Sequence, residues 1–120
     1  MAKKTEWTVL YVTEFRQWFD EQQTGVQDEI LANVALLMRF GPNLGRPRAD
    51  TIVDSAFQNM KELRIQCQGE PWRILFAFDP NRAAVLLVGG CKVGDSRWYK
   101  TQIPIADARF RRHLQTLKKD

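Results

Sequence analysis

Two arginines, Arg64 and Arg73, stand inside two short strand-like runs, "KELRIQC" and "WRILFAFD", that flank the turn residues Gly69, Glu70 and Pro71. Arginine is an unusual strand filler among Leu, Ile, Phe and Trp. The alternation explains its place. Leu63, Ile65 and Cys67 share one face of the first run, and Trp72, Ile74, Phe76 and Phe78 share one face of the second. Burying both sets together sets the parity of the hairpin, because a one-residue slip turns one set outward. Ile65 is then expected opposite an even-numbered residue such as Ile74 or Phe76. Arg64, Gln66 and Arg73 fall together on the opposite face, beside Leu75 and Ala77.

Two like charges held close on a rigid sheet cost free energy unless an anion joins them. The planar guanidinium fork matches phosphate oxygens in a bidentate manner. The alternative is internal pairing with Glu62, Glu70 or Asp79, and Glu62 shares the parity of Arg64. The pattern favours phosphate somewhat over this pairing.

The elements that must hold the hairpin are readable around it. "WTVLYV", Trp7 to Val12, is β-branched and aromatic and predicts a strand. "TEFRQWFDEQQ" places Phe15, Trp18 and Phe19 at helical spacing. Thr24 and Gln27 are spaced as a capping box. They open a second helix through Ile30, Leu31, Val34, Leu37 and Met38, which stops near Phe40 at Gly41-Pro42. "GPNLGRPRAD" reads as a loop, with Asp50 the acid nearest to Arg46 and Arg48. "DPNR" fits a type I turn, "AAVLLVGG" a uniformly apolar central strand, and "CKVGDSRWYK" a loop or short edge segment. In "IPIADARFRRHLQTLKK", Pro104 suits a first helical turn. Ala106, Phe110, Leu114 and Leu117 then mark an amphipathic helix, with His113 at its surface. The order β-α-α-β-β-β-α predicts an α+β fold, a small antiparallel sheet packed against an αα-hairpin and a C-terminal helix.

The chain has 120 residues, enough for one domain over residues 1–120. No apolar run approaches the roughly 20 residues that cross a bilayer. The basic "MAKKTEWTVLYV" start lacks a signal-peptide apolar core, so a cytosolic protein is expected. Cys67 and Cys91 read as free buried thiols. With one histidine and no Cys/His spacing of the zinc type, neither a metal nor a cofactor is expected. The net charge of +4 is uneven: residues 1–60 carry 6 Lys/Arg against 8 Asp/Glu, and residues 61–120 carry 12 against 6. A basic half of this kind is the footprint of a polyanion binder.

The segments "KELR", "WRILFAFDP", "VLLVGG" followed by Lys92, and "WYK" followed by "IPIAD" resemble the RelE/ParE superfamily of bacterial toxins, in particular its phage-derived HigB-like branch. Their order and spacing carry the resemblance, most strongly from Met60 to Asp107. It implies a RelE-like fold, and a toxin that cleaves messenger RNA, usually on the ribosome, under the control of a helix-turn-helix antitoxin. It also implies a catalytic set of Arg64, Arg73, Lys92 and Tyr99, with Lys61, Arg97, Trp98 and Lys100 meeting RNA. No membrane or small-molecule cofactor enters this picture. Metal-free RNA cleavage uses the ribose 2′-OH as nucleophile and needs a base, cations for the phosphorane charge, and an acid for the leaving 5′-oxygen. Arg64 and Arg73 suit the charge, and a cation cluster is expected to lower the pKa values of Lys92 and Tyr99. Trp98 has two readings, a stacking platform for a base or a buried side chain under the last helix. The αα-hairpin is expected to face the antitoxin and the basic sheet face to meet RNA. Two other functions stay open at this point, a ParE-like poison of a protein target such as DNA gyrase and a non-toxic phage-derived binding module.

Overall fold

A computed structural model describes residues 6–118. The "MAKKT" start and the final Lys119 of the last helical pattern lie outside the described residues. The elements run β1 (Thr8–Tyr11), α1 (Thr13–Asp20), α2 (Thr24–Phe40), a 3-10 turn (Gly41–Asn43), β2 (Ala49–Thr51), β3 (Met60–Cys67), β4 (Glu70–Phe78), β5 (Ala83–Cys91) and α3 (Trp98–Leu117). The α+β class and the order of elements match the sequence reading, with one strand more.

The sheet has the order β1-β5-β4-β3-β2. β5 is paired on both sides, as its uniformly apolar run predicts, and β4 is the middle strand. β2 through β5 pair antiparallel, whereas β1 pairs parallel with β5 and makes the sheet mixed. The parallel pair arises because α1, α2 and the β2–β4 hairpins intervene before the chain returns beside β1. The hairpin between β3 and β4 closes on Gln68 and Gly69, both at positive φ (54° and 78°), the conformation of a tight two-residue turn.

Helices cover both faces. Successive strand residues point to opposite faces, and the pair Gly89-Gly90 shows what lies on each. A Cβ on Gly89 would collide with Trp18 of α1, and one on Gly90 would collide with Trp98 of α3. Both indoles therefore lie against bare backbone. α2 joins α1 on its side and packs against β3. Arg73, Ile74, Leu75, Phe76 and Ala77 of β4 are consequently all buried, whichever way they point. Leu63, Ile65, Ile74 and Phe76 form the expected core, and Phe78 is half-buried beside it.

Three local expectations are corrected. Thr24 and Gln27 form no capping box: Gln23 holds the cap position without a side-chain bond, and Gln27 Nε2 donates instead to the Phe19 carbonyl at 2.8 Å, bracing the α1–α2 turn. The last helix starts at Trp98, so Pro104 lies inside it. His113 is not a free surface residue. Its Nε2 lies 2.8 Å from Oδ2 of buried Asp79, which also accepts the backbone N–H groups of Asn81 and Ala83 in the β4–β5 turn.

Candidate functional site

The hairpin register puts Arg64 directly opposite Arg73, and Ile65 opposite Trp72. The predicted parity is thus the observed one. Glu62 lies on the same face of β3, paired with Leu75. The phosphate expected between the two arginines has a counterpart in the chain itself, the Glu62 carboxylate. Its Oε1 is 3.5 Å from Arg73 Nε, and its Oε2 is 4.0 Å from Arg64 Nε.

The first turn of α3 completes the group. Tyr99 Oη donates to Glu62 Oε1 at 2.6 Å and accepts from Arg73 Nε at 3.1 Å. Arg73 also donates to its neighbour's carbonyl, Trp72 O, at 3.0 Å. Lys92 follows β5, where its backbone N–H still bonds to Pro71 O at 2.9 Å. Its ammonium sits 5.7 Å from the centroid of the Tyr99 ring. Arg64, Arg73 and Tyr99 are therefore gathered around Glu62, and Lys92 joins them over the Tyr99 ring.

The environment of each differs. The Arg73 and Glu62 side chains are 6% and 9% exposed, whereas Arg64 is 40% exposed. Arg73 is thus not an open cation on a sheet face, as the sequence suggested, because the start of α3 lies over it. The Tyr99 hydroxyl is raised above its ordinary pKa by burial, then by its bond to the Glu62 carboxylate, with Arg73 opposing. The expected lowering by cations is overturned at Tyr99, since the nearest charge is a carboxylate. Tyr99 keeps its proton and serves as a hydrogen-bond donor with a carboxylate behind it.

The four residues expected to meet RNA scatter. Lys61 has odd parity and lies on the opposite face from Glu62 and Arg64, donating to Thr51 Oγ1 at 3.3 Å. Trp98 is only 4% exposed, packed against Gly90 and edge-on to Tyr99. Its face is covered, so the stacking role is withdrawn and the buried reading holds. Arg97 and Lys100 are exposed on either side of Tyr99. Lys100 borders a cleft of about 530 Å³ that also takes in Tyr99, Ser96 and Pro104. Glu62 entered the sequence reading only as a partner for Arg64. Its tie to Tyr99 depends on how α3 docks, which no local pattern encodes. Among the described residues no group of three His, Cys, Asp or Glu side chains is placed to hold a metal ion. No helix among them is long and apolar enough to cross a membrane.

Residues 17–111 match the family described as phage derived protein Gp49-like. HigB3 of Mycobacterium tuberculosis, named as a toxin, is 46% identical over 102 residues, spanning 84% of this chain and 88% of HigB3. HigB2 of the same organism, also named as a toxin, is 40% identical over 105 residues, 86% of this chain but only 52% of HigB2. Among solved structures, a chain of the M. tuberculosis toxin–antitoxin complex RelBE2 superposes with a TM-score of 0.54 at 17% identity, covering 72% of this chain and 99% of that one. The isolated E. coli RelE toxin superposes at 0.51 with 7% identity, covering 79% and 94%. At such identities the two superpositions speak to the fold.

Proposed function

This chain belongs to the phage-derived Gp49-like family and to the HigB-like branch of the RelE superfamily, and on that premise we propose that it is the toxin of a type II toxin–antitoxin pair, a metal-independent endoribonuclease that cuts messenger RNA on the ribosome. Residues 1–120 act as a single toxin domain in the cytoplasm. A small helix-turn-helix antitoxin holds it inactive.

The observation that carries the nuclease reading is the Glu62–Tyr99–Arg73 group. It supplies an acceptor for a proton, a path to it and a fixed positive charge. Glu62 is buried, so the ribose reaches it through Tyr99. Tyr99 takes the 2′-OH proton as its own proton passes along the existing hydrogen bond to Glu62. The 2′-oxygen attacks phosphorus, the P–O5′ bond breaks, and the 5′-oxygen takes a proton from the Lys92 ammonium. The products are a 2′,3′-cyclic phosphate and a 5′-hydroxyl. Proton return from Glu62 to Lys92 through solvent restores the start. Arg64, the more exposed guanidinium, faces the phosphorane charge. Arg73 is a positioning residue, holding Tyr99 and Glu62 in register.

The antitoxin reading draws support from the other face. A cleft of about 230 Å³ between β1, α1 and α2 is lined by Val9, Phe15, Phe19 and Val34. Exposed Tyr11 and Leu31 stand at its edge. Apolar surface of this kind suits a protein partner, and it lies on the opposite side of the sheet from Tyr99.

The test is induction in cells with mapping of RNA 5′ ends, for wild type and Tyr99→Phe. Growth arrest with new internal mRNA ends that the variant lacks is the expected outcome. Arrest with intact mRNA would point to a protein target instead.

A further inference from the structure

The loop before β2 carries a cation that this chemistry does not use. The Arg64 N–H bonds to the Arg48 carbonyl at 2.8 Å, which continues the β2–β3 ladder one step beyond Ala49↔Leu63. The backbones of Arg48, Arg64 and Arg73 therefore align across neighbouring strands, while the Arg48 guanidinium turns towards Asn33 of α2, on the side of the sheet away from Tyr99. Neutralisation fades from Arg73 to Arg48. Glu62 lies 3.5 Å from Arg73 and 4.0 Å from Arg64. Arg48 makes no ion pair among the described residues, and its Nη1 meets only the neutral Asn33 Oδ1, at 3.5 Å. Asn33 is 3% exposed, and its amide nitrogen donates to Glu29 O, so the carbonyl oxygen is aimed at Arg48. A buried amide thus holds a guanidinium at the rim without cancelling its charge. Arg48, Arg64, Asn33 and Gln66 line one cleft of about 330 Å³ at the edge of β3, beside the loop that leads into β2. Glu29 also borders it, exposed and not paired with Arg48.

We propose that this cleft is a phosphodiester subsite at the edge of the sheet, in which Arg48 and Arg64 together hold an RNA backbone phosphate neighbouring the one cut at Tyr99. The inference rests on the nuclease reading and extends it by naming a second point of contact. Arg64 is the shared member, since its half-exposed side chain borders both the cleft and Glu62. Arg64 thus joins two unequal sites across the sheet edge. One carries the uncompensated charge of Arg48, the other the carboxylate-neutralised charge of Arg73. Arg46, two positions earlier, gives the internal contrast: its Nε is 3.0 Å from Asp50 Oδ2, so its charge is already matched.

The experiment measures binding against salt for wild type, Arg48→Gln, Arg48→Lys and Arg46→Gln. The probes are a 2′-O-methyl RNA oligonucleotide, which cannot be cut, purified ribosomes, and a polyglutamate peptide. Melting curves confirm that each variant folds. Arg48→Gln is expected to weaken RNA or ribosome binding roughly fivefold, the effect of one exposed charge pair. It should flatten the log–log salt slope by about 0.7, the loss of one single-strand phosphate contact. Arg48→Lys should keep the slope, and Arg46→Gln should keep both slope and affinity. Loss with the free RNA places the contact on messenger RNA, and loss with ribosomes alone places it on ribosomal RNA. Equal losses for Arg46→Gln and Arg48→Gln would reduce the effect to net charge and overturn the subsite. So would no loss at Arg48, or a loss confined to polyglutamate. If Arg48→Gln shows the predicted slope change but wild type leaves unmodified mRNA intact, the subsite stands and the nuclease reading falls. If wild type binds neither RNA nor ribosomes, both fall.

Discussion

Tyr99 and Glu62 are joined by a 2.6 Å hydrogen bond that ties the first turn of α3 to the middle of β3. If this bond is the proton path, its two ends act as one unit. Glu62→Gln and Tyr99→Phe should each lower the single-turnover cleavage rate by about 100- to 1,000-fold. The double variant should lose little more, because residues acting together are strongly non-additive. Single-turnover kinetics on programmed ribosomes checks this. Multiplying losses would mean that the two side chains act separately.

Arg73→Ala should destabilise the fold. Its side chain is buried beside Glu62, so truncation strands a carboxylate away from water, which costs about 3–5 kcal/mol. Adding Glu62→Gln should recover part of that loss by removing the stranded charge. Urea denaturation of the single and double variants measures both. A single variant as stable as wild type would show that water reaches Glu62 freely.

Phe76→Ala tests the core beneath the site. Phe76 is 1% exposed on the α1–α2 side of β4. Its loss should cost about 3–5 kcal/mol, a large share of a small domain's stability. A melting curve reads this directly.

The Glu14–Arg112 pair predicts a specific acid response. Two hydrogen bonds from Arg112 hold the Glu14 carboxyl at about 2, below its ordinary 4.5. The folded state therefore binds fewer protons between these values than the unfolded chain. The pair's contribution is full above about 4.5 and is lost as pH falls towards 2. Both side chains are partly exposed, so solvent keeps the effect small. The stability gap between wild type and Glu14→Gln should close across this window, as melting temperatures at stepped pH would show.

The hairpin was legible in the sequence because strand parity is a local property. Alternation alone put Arg64 and Arg73 on one face, and Gly41 ended α2 where the pattern stopped. β2 was not legible. Three residues, Ala49 to Thr51, give no period, and their pairing depends on partners further along the chain, Leu63 to Lys61. The start of α3 was misread because Pro104 is a strong opening signal, while "RWYK" has no helical stripe of its own. The site was half visible. Its cations announce themselves by type, but Glu62's partner and His113's bond to Asp79 exist only once α3 lies across the sheet. Trp98 is the same lesson in reverse: an aromatic beside an arginine looked free to stack until Gly90 supplied its bed.

Pro104 divides α3 into unequal parts. Having no N–H, it cannot bond to the Lys100 carbonyl, so the turn that carries Tyr99 is coupled to the rest of the helix by one bond fewer. Four polar ties from α3 to the body lie beyond that point: Asp107 to Ser55 and Ala56, Arg109 to Leu87 O, Arg112 to Glu14, and His113 to Asp79. Before it, the helix is moored by Trp98 in its glycine seat and by the Tyr99 hydroxyl itself. The helix is thus pinned by polar ties at one end and by buried side chains and one hydroxyl at the other. A small tilt of this second end would part Tyr99 from Glu62 while leaving the rest of the fold in place.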